Sequence, residues 1–208
     1  MPRPPTPLLS RERIRSRALA LVDADGLTGL SMRRLAAELG VQAPSLYSHY
    51  KTKDELLQDI ADGIMEAVDT SAFALDWRSG LRTWARSYRA ALAAHPNMVP
   101  VLATGPARRE VSLARADAVH GGLVAAGWPP RYATMIGAST KYLVLGAAIS
   151  SFSRGFEDDV QVYVDRYPHL TQAHRLREHA DQIDADSFEL ALDAFLTGLD
   201  ALRATLVP

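Results

Sequence analysis

Between Ser31 and Leu57 the sequence SMRRLAAELGVQAPSLYSHYKTKDELL gathers side chains suited to a polyanion with readable edges. Gln42, Ala43, Ser45, Tyr47, Ser48 and His49 are short polar, small or aromatic groups of the kind that reach base edges and phosphates, and Tyr50, Lys51 and Lys53 follow at once. The spacing also says how such groups could be held. Ser31 is a good N-cap, and Leu35, Ala36 and Leu39 then share one helical face. Gly40 suits a left-handed helix stop, Val41 turns back to the core, and Pro44 fits the first position of a second helix, where no amide partner is needed. Leu46 faces inward from that second helix, while the small Ala36 lets the two helices approach. The pattern is that of a helix-turn-helix.

The stretch closely resembles the DNA-binding domain of TetR-family transcriptional regulators. Its ending, Leu46, Tyr47, His49, Tyr50, Lys53, Leu56 and Leu57, matches that family's LYxHYxxKxxLL signature. The resemblance implies that residues 43 to 49 are the recognition helix and that Arg33 lies on the helix abutting the backbone. It puts Lys53 at the N-terminus of the fourth helix, against a phosphate. Tyr47 and His49 match backbone-touching positions, and Ala43, Pro44, Ser45 and Ser48 match base-facing ones. Ala43 and Ser48 are smaller than the Gln and Trp of the tetracycline repressor, so its operator is not expected to carry over.

The elements around this stretch are all expected to be helical. Residues 1 to 9 hold four prolines and read as a disordered tail, with Arg3 available as a mobile arm. Helix one runs from Ser10 to Ala24 with Ile14, Ala18, Leu21 and Val22 buried, and Asp25-Gly26 ends it. Arg11, Arg13, Arg15 and Arg17 spread around it and read mostly as solvated. A fourth helix from Lys53 carries Leu56, Leu57, Ile60, Ile64 and Val68 and leads out to a junction at Thr70 to Asp76.

Beyond it come a helix from Trp77 to His95, a short one over Met98 to Ala103 closed by Gly105-Pro106, and one over Ala107 to Ala126. A long apolar helix covers 131 to 152, an acidic irregular segment 153 to 167, a polar helix His169 to Gln182 and a last helix Ser187 to Thr205. This last helix has two apolar seams, Phe188–Leu192–Phe195–Leu199–Leu202 and Leu190–Ala194–Gly198–Ala201, so it needs two partners. The expected fold class is all-α: a helix-turn-helix domain at 10–56, a linking helix and junction at 57–76, and an effector-binding and dimerisation domain at 77–208.

The net charge is -1, but the first 55 residues hold nine Lys/Arg against six Asp/Glu while the rest hold fourteen against eighteen. A basic front on an acidic body suits a small DNA-binding module on a body that does not touch DNA. With no cysteine, disulfides, thiolate catalysis and cysteine-held zinc are excluded. No apolar run reads as approaching the ~20 residues of a membrane span, and no secretion signal is visible, which suits a cytoplasmic protein.

His169, His174 and His179 rotate apart around a helix, so no metal site is expected, and no cofactor is implied. The acidic run Glu157 to Asp159 reads as a solvated loop. No phosphate loop or nucleophile elbow occurs, so the rival reading, an all-helical small-molecule-binding enzyme with a structural N-terminal hairpin, lacks a convergent catalytic set.

The back two-thirds, through ALAAHPNMVPVLATGP, LVAAGWPP, KYLVLGAA and FELALDAFLTGLDAL, resembles the C-terminal domain of the tetracycline-repressor branch. That resemblance implies a small-molecule effector and a homodimer joined by two long helices per subunit, here about 131 to 152 and 187 to 205. Ile136, Leu143, Phe188, Leu192, Phe195 and Leu199 are the expected dimer residues, and Trp84, Tyr88, Met98, Leu102, Val119 and Tyr142 the expected effector contacts. The branch's amide and phenylalanine fall on Trp84 and Tyr88, its glutamine on Val119, its metal-ligand histidine on Leu102 and its fourth-helix histidine on Asp69. An apolar or aromatic effector is therefore expected in place of a tetracycline–magnesium complex. The implied function is a ligand-responsive repressor released from a palindromic DNA operator, with activation not excluded.

Overall fold

Ser10 begins the ordered helical chain: its hydroxyl accepts from the Arg13 amide at 3.2 Å and starts α1 (Arg11–Gly29). The computed structural model describes residues 9–103, 110–149, 151–164 and 166–206, and every α or 3-10 element among them is helical, with no strand. The predicted disordered tail with Arg3, and the Gly105-Pro106 stop, lie outside the described residues. The helices following α1 are α2 (Met32–Leu39), α3 (Ala43–Tyr47), α4 (Lys53–Met65), α5 (Trp77–Ala94), α6 (Val99–Ala103), α7 (Glu110–Ala125), α8 (Pro130–Ile149) and α9 (Ala180–Leu206).

Two compact units result, one of Met1–Val68 with Ala91–Ala114, the other of Asp69–Ala90 with Arg115–Pro208. This grouping cuts across the predicted divisions at 56 and 76. The reason is visible at the end of α1. Gly26 leaves the helical region at φ 73, which frees carbonyls of the preceding turn. The Asn97 amide donates to two of them, Val22 O at 2.9 Å and Asp23 O at 3.1 Å, and the His95 ring donates to the Asp23 carboxylate at 3.0 Å. Residues 95–98 thus cap α1 from far along the chain.

Within the first unit, the predicted core is the observed one. Ile14, Ala18, Leu21 and Val22 of α1, Leu35, Ala36 and Leu39 of α2, Leu46 of α3, and Leu56, Leu57, Ile60 and Ile64 of α4 are all buried. The arginines of α1, expected to be mostly solvated, have structural work. Arg11 lies 4.5 Å over the Tyr50 ring and 3.5 Å from Glu55, Arg15 packs on Gly63, where a Cβ would come within 3.2 Å of its guanidinium, and Arg17 pairs with Glu38.

In the second unit, Asp76 caps α5 by accepting from the Ser79 amide at 2.8 Å. Arg78, Arg82 and Arg86, one turn apart on α5, pair with Asp200, Asp193 and Glu189 of α9. The Phe73 ring wedges against Gly80 of α5 and Gly122 of α7. Gly127, at φ 91, stops α7, and Trp128 packs edge-on to Trp77 at 5.3 Å.

Two helix assignments change. The predicted polar helix 169–182 is turns around a 3-10 segment, Ala173–Arg175, and α9 begins at Ala180 instead of Ser187. Ser187 looks like a cap, but Ala180 and Phe188 are buried on one side of a continuous helix and Gln182 bonds Asp186 one turn on at 2.9 Å, so the helix runs through it. The stretch Pro130–Gly155 is also more apolar than expected: at mean hydropathy 1.2 it is long and apolar enough to cross a membrane, and little of it is buried.

Candidate nucleic-acid interface

α2 and α3 are joined by the predicted turn. Ser31 caps α2 by accepting from the Arg34 amide at 3.2 Å, and Gly40 closes it in the left-handed region at φ 68. The Val41 amide donates to Ala36 O at 3.0 Å, which returns the chain toward the core. Gln42 is the N-cap residue of α3 and Pro44 its second residue, one later than predicted, so the missing amide still costs no helical bond.

The short α3 is sorted by side. Leu46 and Tyr50 are fully buried, whereas Gln42, Pro44, Ser45, Tyr47 and Ser48 are exposed, and Ala43 and His49 are half-buried. Tyr47 keeps half of its surface in solvent (50%), with its hydroxyl on the same helix as the serines. The Ser48 hydroxyl donates to Ser45 O at 2.7 Å, which leaves its oxygen as an acceptor. Arg33 is exposed on α2. The nine predicted DNA-contacting residues therefore include none that the core has consumed.

Lys53 is the one with another engagement. Its Nζ donates to Leu27 O at 2.7 Å, tying the start of α4 to the last residues of α1 after the Gly26 kink, and its remaining protons stay available. Beside it, Thr52 caps α4 by accepting from Glu55 N at 3.0 Å, and Glu55 accepts from the Lys51 amide at 2.7 Å.

Sequence reasoning placed Tyr50 only among the groups following the recognition helix. Its hydroxyl bonds Asp59 of α4, and its ring carries Arg11 of α1. Burial, then the Asp59 hydrogen bond, push its phenol from 10.0 to about 12. It is thus a neutral, buried post under the C-terminal end of α3. The family signature contains this residue, but only the fold shows what it does.

The predicted effector contacts divide. Trp84, Tyr88 and Val119 are buried in the second unit, and Met98 and Leu102 are buried residues of the first. Trp84 and Tyr88 stack with centroids 6.3 Å apart and planes 28° apart. Tyr142 stands apart from them, 71% exposed on α8.

The predicted dimer residues divide as well. Ile136, Phe188, Leu192 and Leu199 are buried inside the protomer, and Leu143 and Phe195 are half-buried, so this seam faces the chain's own core. The other seam is outward: Leu190 is 72% exposed, with Ala194, Gly198 and Ala201 exposed along α9. α8 shows a matching stripe of Met135, Tyr142 and Ile149, seven residues apart and all exposed.

Residues 14–60 match the family described as bacterial regulatory proteins, tetR family, and residues 74–203 match the tetracyclin repressor-like, C-terminal domain. The tetracycline repressor protein class C of Escherichia coli is 33% identical over 208 residues, covering 95% of this chain and 93% of that one. An HTH-type transcriptional regulator of Saccharopolyspora erythraea is 34% identical over 142 residues, 68% of this chain but 60% of that regulator, so the chain spans less than two-thirds of its length. Among solved structures, a possible TetR family transcriptional regulator from Streptomyces coelicolor A3(2) superposes with a TM-score of 0.77 at 30% identity, over 93% of this chain and 100% of the other.

Proposed function

The chain belongs to the TetR family of bacterial regulatory proteins, and from that premise we propose that it is a homodimeric transcriptional repressor, working in the cytoplasm and released from a two-fold operator by a small effector. The observation that carries the reading is the sorting of α3: Leu46 and Tyr50 anchor it while Gln42, Pro44, Ser45, Tyr47 and Ser48 are left outward. A helix so anchored enters a major groove as a rigid body. Ser45 and Ser48 read base edges, Ala43 and Pro44 touch a thymine methyl, Gln42 and His49 flank them, and Arg33, Tyr47 and Lys53 set the register on phosphates.

The dimer in this reading packs α8 and α9 of one subunit on the same helices of the other. Met135, Tyr142 and Ile149 meet Leu190, Ala194, Gly198 and Ala201, with the small residues letting the helices approach. An outward apolar stripe on two adjacent helices is what an isologous interface requires. The same need accounts for the low burial of α8 without a lipid phase, since Arg131 and Lys141 lie within that stretch.

The effector acts through α5. Trp84 and Tyr88 lie on a helix that continues unbroken to Ala94, and the next residues, His95 and Asn97, hold the end of α1. An effector that favours one arrangement of α5 over another thereby biases the head, and the operator-binding arrangement loses population.

The test is selection of bound genomic fragments by the purified protein at near-physiological salt, followed by footprinting. A protected two-fold site is the expected result. Tyr47→Ala and Lys53→Ala should each weaken operator binding, and each lost phosphate contact should flatten the plot of log affinity against log salt by about 0.9. Failure to recover any fragment, before and after unfolding and refolding to strip bound ligand, sinks the reading. Undiminished binding by both variants sinks the contact assignment.

A further inference from the structure

The Trp84 indole is 92% buried, since 8% of its surface is exposed, and its Nε1–H has no acceptor among the described residues. A buried donor without a partner is uncommon and costly in a folded interior, so it asks for an explanation. The nearby hydroxyl does not supply one, because Ser87 Oγ donates to the Trp84 carbonyl at 3.1 Å and accepts from the Asp69 amide at 2.9 Å.

Trp128 Nε1 is in the same position formally, but its surroundings differ. Its ring stands at 84° to Trp77 with centroids 5.3 Å apart, an arrangement in which an N–H can face a π cloud. Trp84 lies at 28° to Tyr88, so its in-plane N–H runs alongside the neighbouring ring instead of into its face. A lone water is a poor occupant as well, since a buried water needs several polar partners and Leu81, Ala85 and Leu92 on the same side of α5 are apolar and buried.

Charge on the missing acceptor is disfavoured. Of the arginines of α5, Arg78, Arg82 and Arg86 point to a different face and are paired with Asp200, Asp193 and Glu189, and Arg89 lies 4.9 Å over the Phe188 ring. An anion seated on the aromatic side would lose its hydration without gaining a counter-ion from α5. A flat apolar ring, by contrast, can extend the Trp84–Tyr88 stack.

We propose that the effector is a neutral, planar aromatic molecule bearing an oxygen acceptor, and that the Trp84 indole N–H donates to that oxygen. This rests on the effector-responsive reading above and names the chemistry of its ligand. Trp84 is then the residue that distinguishes a ketone or quinone from a hydrocarbon of the same shape.

The probes are 9-fluorenone and fluorene, which share a planar carbon frame and differ by one carbonyl. Their affinities for the full-length protein are read by equilibrium dialysis. Fluorenone should bind at least about tenfold tighter than fluorene, the factor expected from one buried hydrogen bond. Trp84→Phe should bring the two within about twofold, whereas Trp128→Phe should leave the preference standing, with far-UV circular dichroism confirming that both variants are folded. Equal binding of the two probes to the wild type, binding of neither, or a preference that survives Trp84→Phe overturns the proposal. Operator binding is measured on the same samples by fluorescence anisotropy. A protein that binds its operator but shows no carbonyl preference fails this inference alone, and one that shows the preference but binds no DNA fails the regulator reading alone.

Discussion

Three glycines of the second unit should respond to the same substitution with different signs, and the Phe73 ring decides which. Gly121 lies in α7 with open space where a Cβ would stand. Gly121→Ala should therefore stabilise the protein by about 0.8 kcal/mol, the ordinary helical gain of alanine over glycine. Gly80, in α5, would place a Cβ 2.4 Å from Cδ1 and Cγ of Phe73, which no real contact tolerates. The ring cannot retreat toward α7, because a Cβ on Gly122 would stand 2.6 Å from the same Cδ1. Overpacking of this kind costs about 1–3 kcal/mol, so after the helical gain Gly80→Ala should be destabilised by up to about 2 kcal/mol. In a Phe73→Ala background all three close contacts of Gly80 vanish, and Gly80→Ala should then gain about 0.8 kcal/mol like Gly121→Ala. The cycle predicts a coupling equal to the overpacking cost, about 1–3 kcal/mol, between residues 73 and 80. Gly122→Ala should be rescued less completely, since the Phe73 Cβ itself lies 2.8 Å from its added carbon and alanine keeps that atom. Urea titrations at one fixed protein concentration, followed by far-UV circular dichroism, give the free energies, provided the denaturant slope is unchanged. A Gly80→Ala protein as stabilised as Gly121→Ala, or a coupling below about 0.5 kcal/mol, refutes the wedge.

Tyr50→Phe should cost about 1–2 kcal/mol through the lost bond to Asp59, while the ring under Arg11 is kept. Because the folded-state phenol is raised from 10.0 to about 12, its contribution is complete below pH 10 and is lost as pH rises through about 12. The urea midpoint of Tyr50→Phe should therefore fall less steeply over that alkaline range than the wild type's, and equal slopes would contradict the assigned environment. Asp76→Ala should cost about 1 kcal/mol as a lost helix cap. The Ser79 hydroxyl and amide hold the Asp76 carboxyl below its usual range, so that difference is present above about pH 4 and closes as pH falls through the lowered value, checked by midpoints in acid. Leu190→Glu should split the dimer in sedimentation velocity without loss of helix, whereas Leu192→Glu, at a fully buried position, should lose the fold itself; a Leu190→Glu dimer of undiminished stability counts against the α8–α9 interface.

What could be read from the sequence was what is fixed within one or two helical turns. Ser10, Ser31 and Gly40 announce helix ends because their own backbone or hydroxyl does the capping, and the buried positions of α1 through α4 follow from periodicity. Periodicity is blind to which of two apolar faces turns inward. On α9 the bulkier seam of Phe188, Leu192 and Leu199 fills the protomer core, and the seam of small residues around Leu190 is left outside. Volume settles the choice, because a core needs filling whereas helices meeting across a symmetry axis need room to approach. The misplaced start of α9 has a related cause: a serine signals a cap only where the preceding residues cannot continue the helix, and Ala180 with Ile183 can.

The remaining misses join residues far apart in sequence. Arg11 and Arg17 are exposed, as periodicity suggests, but the partners of Arg11, Arg15 and Arg17 appear only when Tyr50, Gly63 and Glu38 are brought up from other helices. Asn97 capping α1 is the clearest case, since the cap and the helix it closes are more than seventy residues apart. Nothing local marks that asparagine, because the demand it meets is created by Gly26, which opens the carbonyls of Val22 and Asp23. The same bonds tie residues 95–97 to the unit that holds α3.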